Sequence, residues 1–242
     1  MNEKDIQLAR AIESEIPFES ESFIVLLTTK YTNLVRVNLV VLKAFLDDKR
    51  KRGVIITIDR PYQYISHLLQ LHGIDQANLT YVDVISSHAS DSKGGAVTGR
   101  FQHSPFHIES LPDLLFSEES SEGPNSIDIS CVEFVVIDNI STALTYNTMD
   151  SLKGCFSRYT ELTRRHKSGP IITTLVMDRE LHSELFKVIS EVSKITIDIG
   201  PDLTVRRFSG RDAPVPKAAP ALSSAPLSLN PDIGIVRSKG VM

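Results

Sequence analysis

The sequence predicts an α/β fold: a mostly parallel sheet with helices on both faces and an antiparallel edge at its C-terminal end. Three observations carry this expectation. Short β-branched runs alternate with longer stretches of helical period, the order of βαβ units joined by right-handed crossovers. The strand-like runs, such as FIVLL at 23–27 and FVVI at 134–137, are continuous rather than alternating, as strands buried on both faces are. The last two runs, KITIDI and LTVRRF, are separated only by a Pro201–Asp202 turn, as the strands of an antiparallel pair are.

The elements follow in order. SFIVLLT (22–28) opens the sheet, and residues 33–50 follow with Leu34, Val37, Val41, Leu42, Phe45 and Leu46 on one helix face. The run DDKRKR places cations near that helix's C-terminus, where they meet its dipole favourably. GVIITID (53–59) is the second strand. Pro61 suits the first turn of the next helix, and Gly73 suits its C-cap. LTYVDVI (79–85) is the third strand. The period then breaks: residues 86–106 have turn composition. A short helix is expected over 107–116, ahead of the acidic, serine-rich SEESSEGPNS. Regularity returns with VEFVVID (132–138), a helix near 148–166, IITTLVM (171–177) and the helical RELHSELFKVISEV, before the closing pair.

The domain plan is a helical lead-in over 1–20, an α/β domain over 21–209 with a long insertion at 86–125, and a tail over 210–242. The tail's Pro/Ala/Ser-rich stretch cannot bury a core, so it is expected to be disordered. The 242 residues are 41% hydrophobic and 23% charged, enough for a sizeable core. Two cysteines in no metal-type spacing argue for a reducing compartment. The acidic N-terminus lacks the apolar core of a secretory signal, and no stretch approaches the roughly 20 apolar residues that span a bilayer. A cytoplasmic protein is the expectation, with no membrane partner. A net charge of −4 gives no global attraction to nucleic acid.

In such sheets ligands bind beyond the carboxyl ends of the strands, so the informative positions are 28–33, 59–61, 86–106, 138–147 and 177–180. A phosphate loop needs G-x-x-x-x-G-K-[ST] directly after a strand. Residues 28–33, TTKYTN, offer Thr29, Lys30 and Thr32 but no glycine able to take positive φ cheaply. An ordinary turn with Thr32 or Asn33 as helix N-cap fits better. The stretch GGAVTGR (94–100) mimics the loop's spacing, with Arg100 at the lysine position, but it neither follows a strand directly nor opens a helix. The run FVVID ends in Asp138, followed by small and hydroxyl residues including Ser141. An aspartate so placed holds Mg²⁺ through water in many ATPases, or simply caps the following turn.

The series FIVLLT–helix–GVIITIDRP–helix–LTYVDVIS, then FVVIDNISTALTYN, IITTLVMDRE and VSKITIDI, resembles the RecA-superfamily ATPases of the KaiC type. It is most similar to archaeal offshoots whose phosphate loop has decayed. The likeness covers about residues 20–210. It implies that Thr29, Lys30 and Thr32 stand where the phosphate loop was and that Asp59 is the second strand's acidic residue. It further implies that Asp138 is the Walker B aspartate, with Ser141 in its continuation. These are implied as relic nucleotide positions only, because the departure at 28–33 prevents the family's ATPase activity from being carried over.

Other constellations are weaker. His103 and His107 have i,i+4 spacing, but Pro105 lies between them, and with His88 they suit a solvated loop. Cys155 suits a small core position, and no nucleophile-plus-base motif occurs. The basic clusters Lys49–Arg52 and Arg164–Lys167 sit at helix ends without interleaved aromatics, so nucleic acid is not an expected partner. Arg206, Arg207 and Arg211 suit a solvated strand end, or a subunit contact should the chain form a homo-oligomer. The tail regains apolar character in DIGIVRSKGVM, at Ile233, Ile235 and Val236.

The expectation is therefore a non-catalytic, RecA/KaiC-like regulatory or protein-interaction domain, with no catalytic or metal residues and no cofactor. Its partner would be another protein, bound through loop 86–125 or tail 232–242. The rival is a residual ATPase taking ATP and Mg²⁺ at an unorthodox phosphate site, using Asp138 and one of Asp59 or Glu180. A DNA-associated accessory protein, with steeply salt-dependent binding, is the third reading.

Overall fold

The structure, a computed structural model, describes residues 1–17, 21–86, 100–116, 127–166 and 168–209. Most of the long insertion and all of the tail, with His88, Lys167 and Gly94, therefore lie outside the described residues.

Eight strands form one sheet in the order β4-β3-β2-β5-β6-β1-β7-β8. They are β1 (Phe23–Thr28), β2 (Gly53–Thr57), β3 (Leu79–Asp83), β4 (Arg100–Gln102), β5 (Phe134–Ile137), β6 (Ile172–Met177), β7 (Ile195–Ile199) and β8 (Val205–Ser209). All neighbours are parallel except β7 and β8, whose register runs from Ile199↔Val205 to Ile195↔Ser209. The first strand thus lies between the sixth and the seventh.

Among the described residues six α-helices cover the sheet: α1 (Glu3–Glu15), α2 (Leu34–Lys43), α3 (Tyr62–Leu71), α4 (Leu111–Phe116), α5 (Met149–Arg165) and α6 (Ser183–Val192). Successive side chains on a strand point to opposite faces, which makes two cores. On one face Val25, Leu27, Ile55, Val136 and Ile197 pack with Leu8 and Ile12 of α1, Val37 and Val41 of α2 and Leu69 of α3. On the other, Ile24, Leu26, Ile56 and Leu175 pack with Leu115 of α4, Phe156 of α5 and Ile189 of α6. Burying one such Leu, Ile or Phe contributes about 1.5–3 kcal/mol, which explains the continuous apolar runs.

α1 begins with a reciprocal cap: Asp5 N–H donates to Asn2 Oδ1 at 3.1 Å, and Asn2 N–H to Asp5 Oδ2 at 2.8 Å. Its Leu8, Ala9 and Ile12 join the same core as α2. Gly53 has a steric reason: a Cβ there would lie 2.1 Å from the Phe134 ring, which in turn packs on Phe45 with centroids 5.0 Å apart.

Several expectations are corrected. The helix over 33–50 is α-helical only to Lys43; Ala44–Asp48 make one π turn, and Arg50 leaves it at φ 52°. The basic run beyond is held by carboxylates, Lys49 pairing with Glu13 and Lys51 with Glu133 at 2.5 Å. Pro61 precedes α3 rather than opening it, whereas Gly73 does close it, at φ +67°. Inside the stretch read as irregular, β4 pairs with β3 through Val82↔Phe101; three residues are too few to show a period. The helix over 107–116 is a 3₁₀ segment, Pro105–Ser110, followed by α4. The helix read from Arg179 starts only at Ser183. Cys155 is buried as expected, and burial pushes its thiol up to about 12.

Candidate functional site

The chain leaves β1 and β2 toward α2 and α3 on one face, but leaves β5 and β6 toward α5 and α6 on the other. β1 lies beside β6 and β2 beside β5. A crevice opens where neighbouring strands diverge in this way, at their carboxyl ends.

Each junction there is tied by an aspartate. Asp83 Oδ1 accepts from Ser86 N–H at 2.9 Å. Asp138 Oδ1 accepts from Ile58 N–H at 2.9 Å and Asn139 N–H at 2.7 Å, with Asp59 N–H at 3.3 Å, so it binds the end of β5 to the end of β2. Burial pushes the Asp138 carboxyl up to about 7; the backbone donors oppose that rise and the nearby Asp59 charge adds to it. Asp178 Oδ2 accepts from Tyr31 N–H at 2.8 Å and its Oδ1 from Glu180 N–H at 2.9 Å. Asp198 Oδ1 accepts from Thr28 Oγ1 at 2.8 Å and pairs with Arg179 at 3.3 Å.

The β1–α2 turn is the place where a phosphate loop would lie. It is a single 3₁₀ turn, Tyr31–Asn33; Asn33 stands at the N-cap of α2, as one of the two expected residues, but its side chain makes no capping hydrogen bond. Asp178 reaches across from the end of β6 and takes the Tyr31 amide instead. Lys30 Nζ forms an ion pair with Glu180, a contact that raises its pKa. Thr29 is buried, and its Oγ1 has no hydrogen-bond partner among the described residues.

Beside this turn lies a cavity of about 150 Å³, lined by Tyr31, Asp59, Asn139, Ser141, Asp178 and His182 among others. Asp59 Oδ1 accepts from Thr142 Oγ1 at 2.7 Å, and its Oδ2 lies 3.4 Å from Arg60 Nε. Arg60 also stacks 5.1 Å from the Tyr64 ring centre. Asn139 and Ser141 are 3% and 6% exposed, and Asn139 Oδ1 and Ser141 Oγ have no partner among the described residues.

Of the residues singled out from sequence, Asp59, Asp138 and Ser141 are brought together by the β2 and β5 ends. Lys30 is turned to Glu180, and Thr32 lines a different groove, with Met1, Asn2 and Tyr64. Sequence reasoning missed Asp83, Asp178 and Asp198. Their signal was visible: the apolar runs LTYV, IITTLVM and ITI each end in Asp, as VIITI and FVVI do. His103, read as a loop histidine, has Nε2 3.0 Å from Ser110 Oγ. Among the described residues no helix is long and apolar enough to cross a membrane.

No family model matches the chain, and neither does any curated protein. Solved structures do match. The KaiC-like protein PH0186 from the hyperthermophilic archaeon Pyrococcus horikoshii OT3 superposes with a TM-score of 0.56 at 12% identity, over 82% of this chain and 84% of that one. The protein PH0321 from P. horikoshii, solved in complex with an unknown peptide, gives 0.57 at 16% identity, over 84% and 86%. PH0250 from P. horikoshii OT3 gives 0.52 at 12% identity, over 86% and 94%. The likeness at these identities is one of fold, and the fold is the RecA/KaiC-like one that the order of segments implies.

Proposed function

We propose that this chain is a non-catalytic RecA/KaiC-like domain, a pseudo-ATPase that serves as a regulatory protein-interaction module through its carboxyl edge. One observation carries the reading: the donors of the β1–α2 turn already hold carboxylates of the protein itself. A phosphate needs the amides and the lysine of that turn, yet Tyr31 N–H is taken by Asp178 and Lys30 by Glu180. The exposed Lys30–Glu180 pair is weak and exchangeable. Asp178 is only 5% exposed, so an incoming polyphosphate would have to unseat a buried carboxylate. It would also meet Asp59 as a like charge, at a turn whose glycine-free backbone cannot wrap it.

The protein-binding half of the proposal is supported by what the same edge exposes. Of the six exposed large hydrophobics among the described residues, Tyr31, Tyr64, Phe106 and Leu181 each follow the carboxyl end of a strand, which gathers apolar anchors on one side of the molecule. PH0321 carries a peptide on this fold, which makes a peptide segment of a partner protein the ligand class of choice. The rival, a residual nucleotide site, is favoured by Ser141 Oγ and Asn139 Oδ1 beside Asp59, which have no hydrogen-bond partner among the described residues.

Calorimetric titration with ATP and ADP, with and without Mg²⁺, separates the two. The expected result is no heat up to millimolar ligand. Micromolar binding that is lost in Ser141→Ala would overturn the pseudo-ATPase reading. Asp138→Ala is the poorer probe, because that carboxylate ties β2 to β5 and its loss would disturb the edge whether or not nucleotide binds.

A further inference from the structure

A second depression lies at the other end of the sheet, away from the edge discussed above. It is a groove of about 810 Å³ between the C-terminal ends of α5 and α6. Phe23, Ile24, Tyr159 and Val192 give it apolar walls, and Ser22 and Pro170 lie where β1 and β6 begin. Its charged and titratable lining is Glu21, Arg164, His166, Glu191 and Lys194. Lys194 is committed to Glu21 and lies 5.0 Å from the centre of the Phe23 ring. Two helices end here, with caps at His166 and Ser193, so the negative ends of both dipoles face the same space. His166 Nε2 has no hydrogen-bond partner among the described residues.

The chain itself arrives at this groove. β8 runs antiparallel to β7 and ends with Ser209 opposite Ile195, one residue from Lys194 on the groove's rim. Residues 210–242 follow from that point. We propose that the segment 232–242, DIGIVRSKGVM, docks back into the α5–α6 groove of its own chain. Ile233, Ile235 and Val236 would cover the apolar wall. Arg237 and Lys239, against a single Asp232, suit the two helix C-termini and Glu191, while Arg164 in the same lining opposes them. The spacer at 210–231 is rich in Pro, Ala and Ser. A flexible tether of that length would span roughly 25 Å, and its prolines would lengthen it, far enough to turn back on a groove beside its own starting point. Tethering at that range sets an effective concentration in the millimolar region, so even a weak apolar contact would be occupied. Such docking leaves the carboxyl edge open, and an external partner of the tail would have to compete with the groove.

The test uses the full chain and its Ile233→Asp/Ile235→Asp variant, whose changes lie outside the described core. Amide hydrogen exchange is followed at 159–166 and 190–194, at two protein concentrations a decade apart. Docking in cis predicts exchange several-fold slower in the wild type than in the variant, unchanged by dilution, with a similar loss of protection in Ser190→Trp, which fills the groove. Equal exchange in wild type and variant overturns the proposal. Protection that disappears on dilution also overturns it, since the tail would then come from a second copy. Nucleotide binding at the opposite edge would move neither readout, so this test fails or succeeds apart from the functional reading.

Discussion

At the scale of single residues, two aspartates have opposite shifts. Asp138 is buried, and its folded pKa of about 7 stands above the ordinary value near 3.9. The folded state therefore holds a proton that the unfolded state has released. Stability falls as pH rises from about 4 to about 7, by on the order of a few kcal/mol. Asp5 goes the other way: burial tends to raise it, but Arg36 Nε at 2.5 Å and the Asn2 amide outweigh that and hold it below the usual range. Its contribution is present above the ordinary value and lost as pH falls below it. Asp138 should accordingly lower the urea midpoint between pH 5 and pH 8, against an opposite contribution from His103 and His166, whose burial holds them below the usual histidine range. Asp138→Asn, which keeps an acceptor for Ile58 and Asn139, should remove that lowering. An unchanged slope in the variant would assign the pH dependence elsewhere.

At the scale of elements, the β1–α2 turn is held from outside. Asp178→Ala leaves the amides of Tyr31 and Glu180 without their acceptor and should cost about 1–3 kcal/mol in chemical denaturation. Lys30→Ala, which removes only an exposed pair, should leave the melting temperature nearly unchanged. Gly53→Ala drives a methyl into the Phe134 ring and should cost about 1–3 kcal/mol or more by overpacking; a neutral result would mean that Phe45 and Phe134 shift together. These elements also mark what could be read from sequence. The central strands were legible because burial on both faces demands unbroken apolar runs, whereas the three-residue β4 was not. The π turn after Lys43 was not, since a change from α to π pitch leaves the apolar pattern almost intact. Nor was the partner of the Tyr31 amide, 147 residues away in the chain. Asp59, Asp138 and Ser141 could be nominated from strand ends alone. Where Lys30 and Thr32 point depends on Glu180 and on the α1 side of the molecule, which no local pattern encodes.

At the scale of the whole molecule, stability should be graded across the sheet. β5, β6 and β1 are paired on both sides and covered on both faces, whereas β4 and β8 each have one partner among the described residues. Native-state hydrogen exchange should be slowest in the first three strands and faster in the outer two; uniform protection would mean that the sheet opens only by global unfolding. The strand order has a consequence for how the chain is made. β1 is synthesised before the other strands of the sheet, yet its two neighbours, β6 and β7, are the sixth and seventh strands of that sheet to be made. Until residue 199 is available, FIVLLT has no complete slot to occupy and must wait as an apolar run with unpaired edges. A nascent chain halted before β7 should therefore be a good client for chaperones that hold extended hydrophobic segments, and release should restore the native sheet only once the last parallel strand has emerged.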